Sequence, residues 1–256
     1  MGRLDGEVAI VSGSTSGLGA EIAHLFAAEG AAVLVTGRDE GRGGLVASSV
    51  TDNGGQASFV AADLADPEAA ATLVDTCGVV LGPPTILVNN AVGHIGGDGV
   101  VGQVSDATWL AVLEIDLLAA ARLIAQCVPQ MTAAGHGSIV NVSSRAASHG
   151  TPGHAAYSAA KGALESLTRS VAVDYADAGI RCNAVRPGYV LHERRDAGND
   201  SARMAQIAAA QLTSPVTATD VANACLWLAS SDAAGVTGLI LPVDGGSTAA
   251  RPTTVG

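Results

Sequence analysis

The most constraining feature is a rhythm of short apolar runs in the first 90 residues. They are Glu7 to Ser12 (EVAIVS), Ala32 to Thr36 (AVLVT), Ser58 to Ala62 (SFVAA) and Ile86 to Asn89 (ILVN). Each is apolar at successive positions instead of alternating. That pattern requires burial on both faces, hence a parallel sheet covered by helices on each side. The segments between the runs have helical spacing. In Gly17 to Glu29, Ile22, Leu25 and Phe26 share one face, and Gly30 ends the helix. A second helix is expected from about Asp39 to Val50, closed by Asn53-Gly54-Gly55. A third is expected to start with Asp66 as N-cap and Pro67 as first helical residue, and to end at Gly82-Pro83-Pro84.

The second half continues the alternation. A long helix is expected over about Asp106 to Ala133, then a strand at Ser138 to Val142. A helix from near His154 to Ala176 precedes a strand at Ile180 to Val185. The last helix is read from N-cap Thr219 to Ala229, and a final strand from Leu239 to Val243. Nothing divides the chain, so residues 1–256 read as a single α/β domain, a Rossmann-type doubly wound parallel sheet. Residues of about 188–214 break the rhythm and read as a flexible substrate flap around a short helical patch, ARMAQIAAAQL.

Composition narrows the function classes. With 48% hydrophobic and 14% charged residues the chain is not disordered. A net charge of −11 argues against nucleic acid or an anionic membrane surface as partner, since both need clustered cations. No apolar run has the length of a membrane span and the first residues lack a signal-peptide pattern, so a cytoplasmic protein is expected. Cys77, Cys127, Cys182 and Cys225 are far apart in apolar surroundings and read as buried free thiols. His94, His149 and His154 fall in loops near the expected substrate mouth, but none has metal-ligand spacing, and no metal is expected.

Ser12-Gly13-Ser14-Thr15-Ser16-Gly17-Leu18-Gly19 follows the first strand directly and opens the first helix. Such a turn lets backbone approach a pyrophosphate, and the helix N-terminus offers free N–H groups and a positive dipole end. Its spacing is Gly-x-x-x-Gly-x-Gly, which departs from the commonest dinucleotide fingerprint. At the end of the second strand an acid would bind the adenosine ribose 2′-hydroxyl, and a cation a 2′-phosphate. Gly37 followed by Arg38 stands there, with Ser16 and no cation before Gly17. NADP(H) is therefore the expected cofactor, with NAD(H) as the alternative.

Tyr157 and Lys161 are four residues apart on one helix face. A nearby ammonium stabilises a phenolate, which suits a Tyr for acid–base work. Ser144 ends the strand before that helix, at the sheet edge where parallel α/β folds bind ligands.

The glycine-rich turn, Asn89-Asn90-Ala91, Ser144, Tyr157 with Lys161, Asn183 and Arg186-Pro187-Gly188 have the order and spacing of the short-chain dehydrogenase/reductase family. The chain resembles that family from Gly6 to Gly246. The resemblance implies seven parallel strands in the order 3-2-1-4-5-6-7. It implies Tyr157 as general acid and base, Ser144 orienting the substrate oxygen, and Lys161 on the nicotinamide ribose. Gly13, Ser16, Gly17, Leu18 and Gly19 would cradle the cofactor phosphates, Asp63 and Leu64 would contact adenine, and Asn90 the ribose side. Pro187, Gly188 and Val190 would wall the nicotinamide. A homodimer or homotetramer is implied, with the helices of Asp116 and Tyr157 as faces and Ala160, Ala163 and Ala172 allowing close approach.

Three positions depart from the family pattern. Val92 replaces the usual Gly after Asn-Asn-Ala, His192 replaces a Thr that bonds the carboxamide, and Asp116 stands where the proton-relay Asn is usual. The reading is an NADP-preferring carbonyl reductase or alcohol dehydrogenase acting on a small molecule. The alternatives are an imine reductase on the same fold and a non-catalytic dinucleotide-binding sensor.

Overall fold

The computed structural model describes residues 2–93, 97–191, 198 and 200–249. His94 and His192 lie outside the described residues. The strands are β1 (Val8–Val11), β2 (Ala32–Gly37), β3 (Gln56–Ala61), β4 (Ile86–Asn89), β5 (Gly137–Val142), β6 (Ile180–Pro187) and β7 (Ile240–Val243). They form one sheet in the order β3-β2-β1-β4-β5-β6-β7, every pair parallel. This is the doubly wound order expected, and it reverses between β1 and β4. Ala9, Ile10 and Val11 are wholly inaccessible, as are Leu87 and Val88. Burial on both faces does not extend to the edges. β3 and β7 are only partly covered, and Pro242, which has no N–H to pair, stands exposed on β7.

Helices α1 (Gly17–Ala28), α2 (Glu40–Asp52), α3 (Ala69–Val80), α4 (Asp106–Leu113), α5 (Ala119–Ala134), α6 (Ala155–Asp174), α7 (Ser201–Ala209) and α8 (Ala218–Ala229) surround the sheet. Two cores result. Ile22 and Phe26 of α1, Val50 of α2 and Leu226 of α8 pack on one face. Leu73 of α3, Leu123 of α5 and Val171 of α6 pack on the other. All four thiols are buried, and burial pushes Cys77, Cys182 and Cys225 up to about 12, leaving them inert. A buried polar chain crosses the second layer: Asn89 Nδ2 donates to Asn141 Oδ1 at 2.8 Å, and Asn141 Nδ2 donates to Thr168 Oγ1 at 2.9 Å. It ties β4, β5 and α6 together beneath the strand ends.

Several boundaries differ from the sequence reading. α3 starts at Ala69, because Asp66 closes a turn first, its carboxylate accepting from Glu68 N–H at 3.0 Å. Asp66 is therefore not the helix cap, and Pro67 lies in the turn. The expected long helix from Asp106 is interrupted by a π-helical turn at Glu114–Leu118. Ala160 and Ala172 are buried inside the chain and offer no surface for a second copy. The cap of α8 is Thr217 in place of Thr219. Thr217 Oγ1 accepts from Asp220 N–H and Asp220 accepts from Thr217 N–H, a reciprocal pair. Thr219 instead donates to Glu21 at the surface.

Thr217→Ala is expected to destabilise the protein by about 1 kcal/mol. Thr219→Ala is expected to change it by under about 0.5 kcal/mol. Urea denaturation of the two variants checks this, and equal losses would return the cap to Thr219.

Candidate active site

Reversal of strand order leaves a crevice at the C-terminal ends of β1 and β4, since the crossovers from these strands leave on opposite faces. A cleft of about 1170 Å³ opens there. It is lined by Gly13, Ser16, Gly17, Leu18, Gly19, Arg38, Asp63, Leu64, Asn90, Ser144, Tyr157, Lys161, Pro187, Gly188 and Val190. The structure thus brings together every described residue expected at the site except Asp116, which sits behind the cleft wall.

The glycine turn is tied by hydrogen bonds to β2 and to the residues after β4. Ser12 Oγ accepts from Asn90 N–H at 2.9 Å and Ala91 N–H at 3.0 Å. Ser14 Oγ donates to Val11 O at 2.6 Å and accepts from Thr36 N–H at 3.0 Å. Asn90 Nδ2 donates to Ser12 O and Gly13 O, so its side chain braces the turn. Gly13 has φ +64°, and a Cβ there would lie 2.8 Å from Ala91 Cα. A Cβ on Gly19 would lie 2.4 Å from Gly13 O. Backbone therefore packs where side chains would fill the cradle. Ser16 caps α1 by position only, without a side-chain hydrogen bond, and no acid occupies the first turn. Those free N–H groups suit a pyrophosphate.

At the far end of β2, Arg38 lines the cleft. The nearest acid in sequence, Asp39, is engaged elsewhere. It accepts from Arg42 N–H at 2.9 Å and Arg42 Nε at 2.7 Å, which holds its carboxyl below the usual range. Arg42 also lines the cleft, as a second cation. Asp39 is thus committed to Arg42, and Glu40, the first residue of α2, is the other acid lining the cleft next to it.

At the other end, Ser144 Oγ accepts from Ala146 N–H at 3.2 Å and caps a one-turn 3₁₀ helix, Arg145–Ala147. Lys161 Nζ donates to Val142 O at 3.2 Å and lies 5.7 Å from the Tyr157 ring centroid. Asp116, carried by the π-turn, is buried. Its Oδ2 accepts from Gly93 N–H at 3.0 Å, and its Oδ1 lies 3.1 Å from Lys161 Nζ. The contact to Lys161 is an ion pair at a distance without an aligned hydrogen bond. Val92 faces the cleft and is 54% exposed, so it borders the mouth without filling it.

His154 lines the cleft, its ring edge-on to Tyr157 at 6.3 Å, while exposed His149 bonds Ser148 Oγ outside it. Among the described residues no cluster of His, Cys, Asp and Glu could hold a metal ion, and no helix is long and apolar enough to cross a membrane.

Two supporting groups escaped the sequence reading. Asp98 accepts from Gly99, Ala156 and Tyr157 N–H, holding the start of α6. Burial pushes its carboxyl up, but these three bonds outweigh it and leave it below the usual range. Glu165 accepts from Ser143 Oγ at 2.7 Å and from both sides of the Arg186 fork, at 2.8 and 2.6 Å. One carboxylate thus joins the Ser144 strand, the Tyr157 helix and the Pro187-Gly188 wall. A Glu among Lys161, Leu164 and Thr168 on the buried face of a helix was the available signal. Asp98 gave none, since its partners lie far along the chain.

The sequence profile described as Enoyl-(Acyl carrier protein) reductase matches residues 13–248. A cis-4-hydroxycyclohexanecarboxylate dehydrogenase of Sinomonas cyclohexanicum is 41% identical, over 94% of this chain and 96% of the relative. The chain belongs to the short-chain dehydrogenase/reductase family. A 3beta-hydroxysteroid dehydrogenase of Mediterraneibacter gnavus is 36% identical, over 97% of each chain. Among solved structures, a gluconate 5-dehydrogenase from Burkholderia cenocepacia in complex with NADP and tartrate superposes with a TM-score of 0.89 at 30% identity, over 97% of this chain and 98% of the other. As a short-chain dehydrogenase/reductase, the protein is an NAD(P)-dependent oxidoreductase of hydroxyl or carbonyl compounds.

Proposed function

We propose that the protein is an NADP(H)-preferring dehydrogenase of alicyclic secondary alcohols and reductase of the matching ketones. The observation that carries this is one cleft holding the glycine cradle and Arg38 at one end and Ser144, Tyr157 and Lys161 at the other. Apolar side chains of Val92, Ile115, Ala146 and Leu191 border the catalytic end, which suits a hydrocarbon ring. The two relatives named above act on ring alcohols, by their names. Residues 1–256 would form one functional unit, closed over by the segment of about 188–214. Leu110, Leu118 and Val173 are exposed on α4, the π-turn and α6, which supports a homodimer or homotetramer.

The nicotinamide, when bound, supplies or accepts the hydride. In reduction Tyr157 O–H gives its proton to the substrate oxygen, and in alcohol oxidation the phenolate takes it back. Ser144 already accepts from Ala146, so its own proton is free to hold the substrate oxygen. Lys161, fixed by Val142 O, places positive charge beside the phenol and would bind the nicotinamide ribose. Asp116 positions Lys161 and, through Gly93, the loop after β4. Arg38 would pair with the adenosine 2′-phosphate. Asp63 and Leu64 would hold the adenine, and Pro187, Gly188 and Val190 the nicotinamide. His192, which would bond the carboxamide, lies outside the described residues.

Tyr157→Phe is expected to lower kcat for ketone reduction by roughly 10²–10⁴. Fluorescence titration should show NADPH binding little changed. More than half the parent activity would remove Tyr157 from the mechanism and promote a non-catalytic sensor.

Arg38→Ala is expected to weaken NADPH binding by about tenfold to a hundredfold, the worth of one charge-assisted hydrogen bond, and NADH hardly at all. Equal losses for the two would show a structural role for Arg38. A parent enzyme that favours NADH would refute the cofactor preference.

Asp116→Asn keeps an acceptor for Gly93 N–H and removes the negative charge beside Lys161. The ammonium then acts undiminished on the phenolate. The limb of the alcohol-oxidation pH profile that follows Tyr157 is expected to move to lower pH, with turnover retained. Superimposable profiles at equal rate would take Asp116 out of the site.

A further inference from the structure

The cleft holds more positive charge than the cofactor explains. Arg38, Arg42, Arg145 and Lys161 line it, in a protein of net charge −11. Two of these are neutralised within the chain, Arg42 by Asp39 and Lys161 by Asp116. Other described cations are likewise engaged: Arg3 with Glu29, Arg122 with Glu114, Arg186 with Glu165, and Arg181 with backbone carbonyls. Arg38, Arg145 and Arg169 are the described cations whose side chains meet no partner. Arg169 is exposed on α6. The remaining two sit at opposite ends of one cleft.

Arg38 stands at the adenosine end, where a phosphate would meet it. Arg145 stands at the catalytic end, immediately after Ser144. Its backbone is rigidly placed. Ser144 Oγ caps the 3₁₀ turn, and Arg145 O accepts from Ser148 N–H and His149 N–H, both at 3.1 Å. Arg145 is a half-buried residue, and no counter-charge in the chain meets its guanidinium. Among the described residues no carboxylate lines this end of the cleft: Asp39, Glu40 and Asp63 all belong to the adenosine end. Asp98 is committed to three N–H groups, and Asp116 is buried against Lys161.

We propose that Arg145 is a specificity residue that binds a carboxylate on the substrate, so that the preferred substrate is a hydroxy acid or the matching oxo acid whose carboxylate sits on a carbon other than the reacting one. A planar five-donor fork fits a carboxylate through two parallel hydrogen bonds. A single cation in a strongly acidic protein fits a monoanion and disfavours a polyanion. Thr151 and His154 also line this end, but the Thr151 hydroxyl is directed to His149 O and His154 Nδ1 to Pro152 O. Because Ser144 and Arg145 are successive residues of one capped turn, the turn that orients the substrate oxygen also fixes the anion site. This rests on the reading of the cleft as a ketone and alcohol site.

The test compares two probes that differ in one charge, 4-oxocyclohexanecarboxylate and its methyl ester, each reduced with NADPH. The readout is the ratio of their kcat/KM values, which cancels any general damage to the enzyme. For the parent, the acid is expected to be favoured by about tenfold to a hundredfold, as for one charge-assisted, two-pronged contact. In Arg145→Gln the ratio should fall close to one. Arg145→Lys, which keeps the charge but loses the fork, should give an intermediate ratio. A parent ratio near one, or a high ratio unchanged in Arg145→Gln, overturns the carboxylate assignment while leaving the ketone reading intact. Turnover of neither probe, nor of simple cyclic ketones, overturns both.

Discussion

The structure depends on parallel pairing of β1 with β2 on one side and β4 on the other. Parallel neighbours need long crossovers, and each crossover must cover a sheet face. The chain winds outward to β3 with helices on one face, then returns to β4 and winds the other way. Every loop that follows a strand therefore opens at the same edge, and the change of direction parts two of these loops. The cleft is a consequence of that topology. The glycine turn, the Ala91–Gly93 loop, the Ser144 turn and the Pro187-Gly188 wall meet there because each follows a strand of the same sheet.

Holding polar chemistry at the edge of an apolar sheet has an electrostatic cost, and this chain meets it with paired charges. Burying one ion costs several kcal/mol, so a buried charge is paired and hydrogen-bonded or it is not kept. Asp116 and Lys161 form one such pair, and Glu165 and Arg186 another. The pairs link segments that are remote in sequence. Glu165 accepts bonds from Ser143, just after β5, and from Arg186 of β6, so one carboxylate ties three walls of the cleft together. The π-turn serves the same end. A regular helix through residues 114–118 would carry Asp116 to a different azimuth; the wider turn brings its carboxylate to both Gly93 N–H and Lys161. Against this background Arg38 and Arg145 are the described cleft-lining cations left without a counter-charge in the chain.

Much of the fold was legible because burial is written into local composition. Runs such as VAIV and ILVN have no polar face, so their environment follows from the residues themselves. Helices with one apolar stripe between them then leave few arrangements. The edge strands were harder, since the exposure of β3 depends on its having a neighbour on one side only. Cap positions were misjudged where two candidates lay close together. Thr219 and Thr217 are equally good caps by type, and the Asp three residues after Thr217 decided between them. At Asp66 the side chain closed its own turn before any helix began, a competition the residue type alone does not resolve.

The sequence by itself determined the class of fold, the glycine-rich turn, and the residues that the fold gathers along one cleft. Each of these rests on local features: apolar runs, a glycine spacing, a Tyr and Lys one helical turn apart. What only the tertiary structure decided is which charges are spent and which remain free. Asp98 reaching the start of α6, Asp39 turning to Arg42, Asp116 meeting Lys161 directly, and Arg145 left without a partner all depend on groups brought together in three dimensions. A charge reads the same in the sequence whether or not a counter-charge lies beside it. Coulomb energy falls with distance through space, and neighbours along the chain do not set that distance.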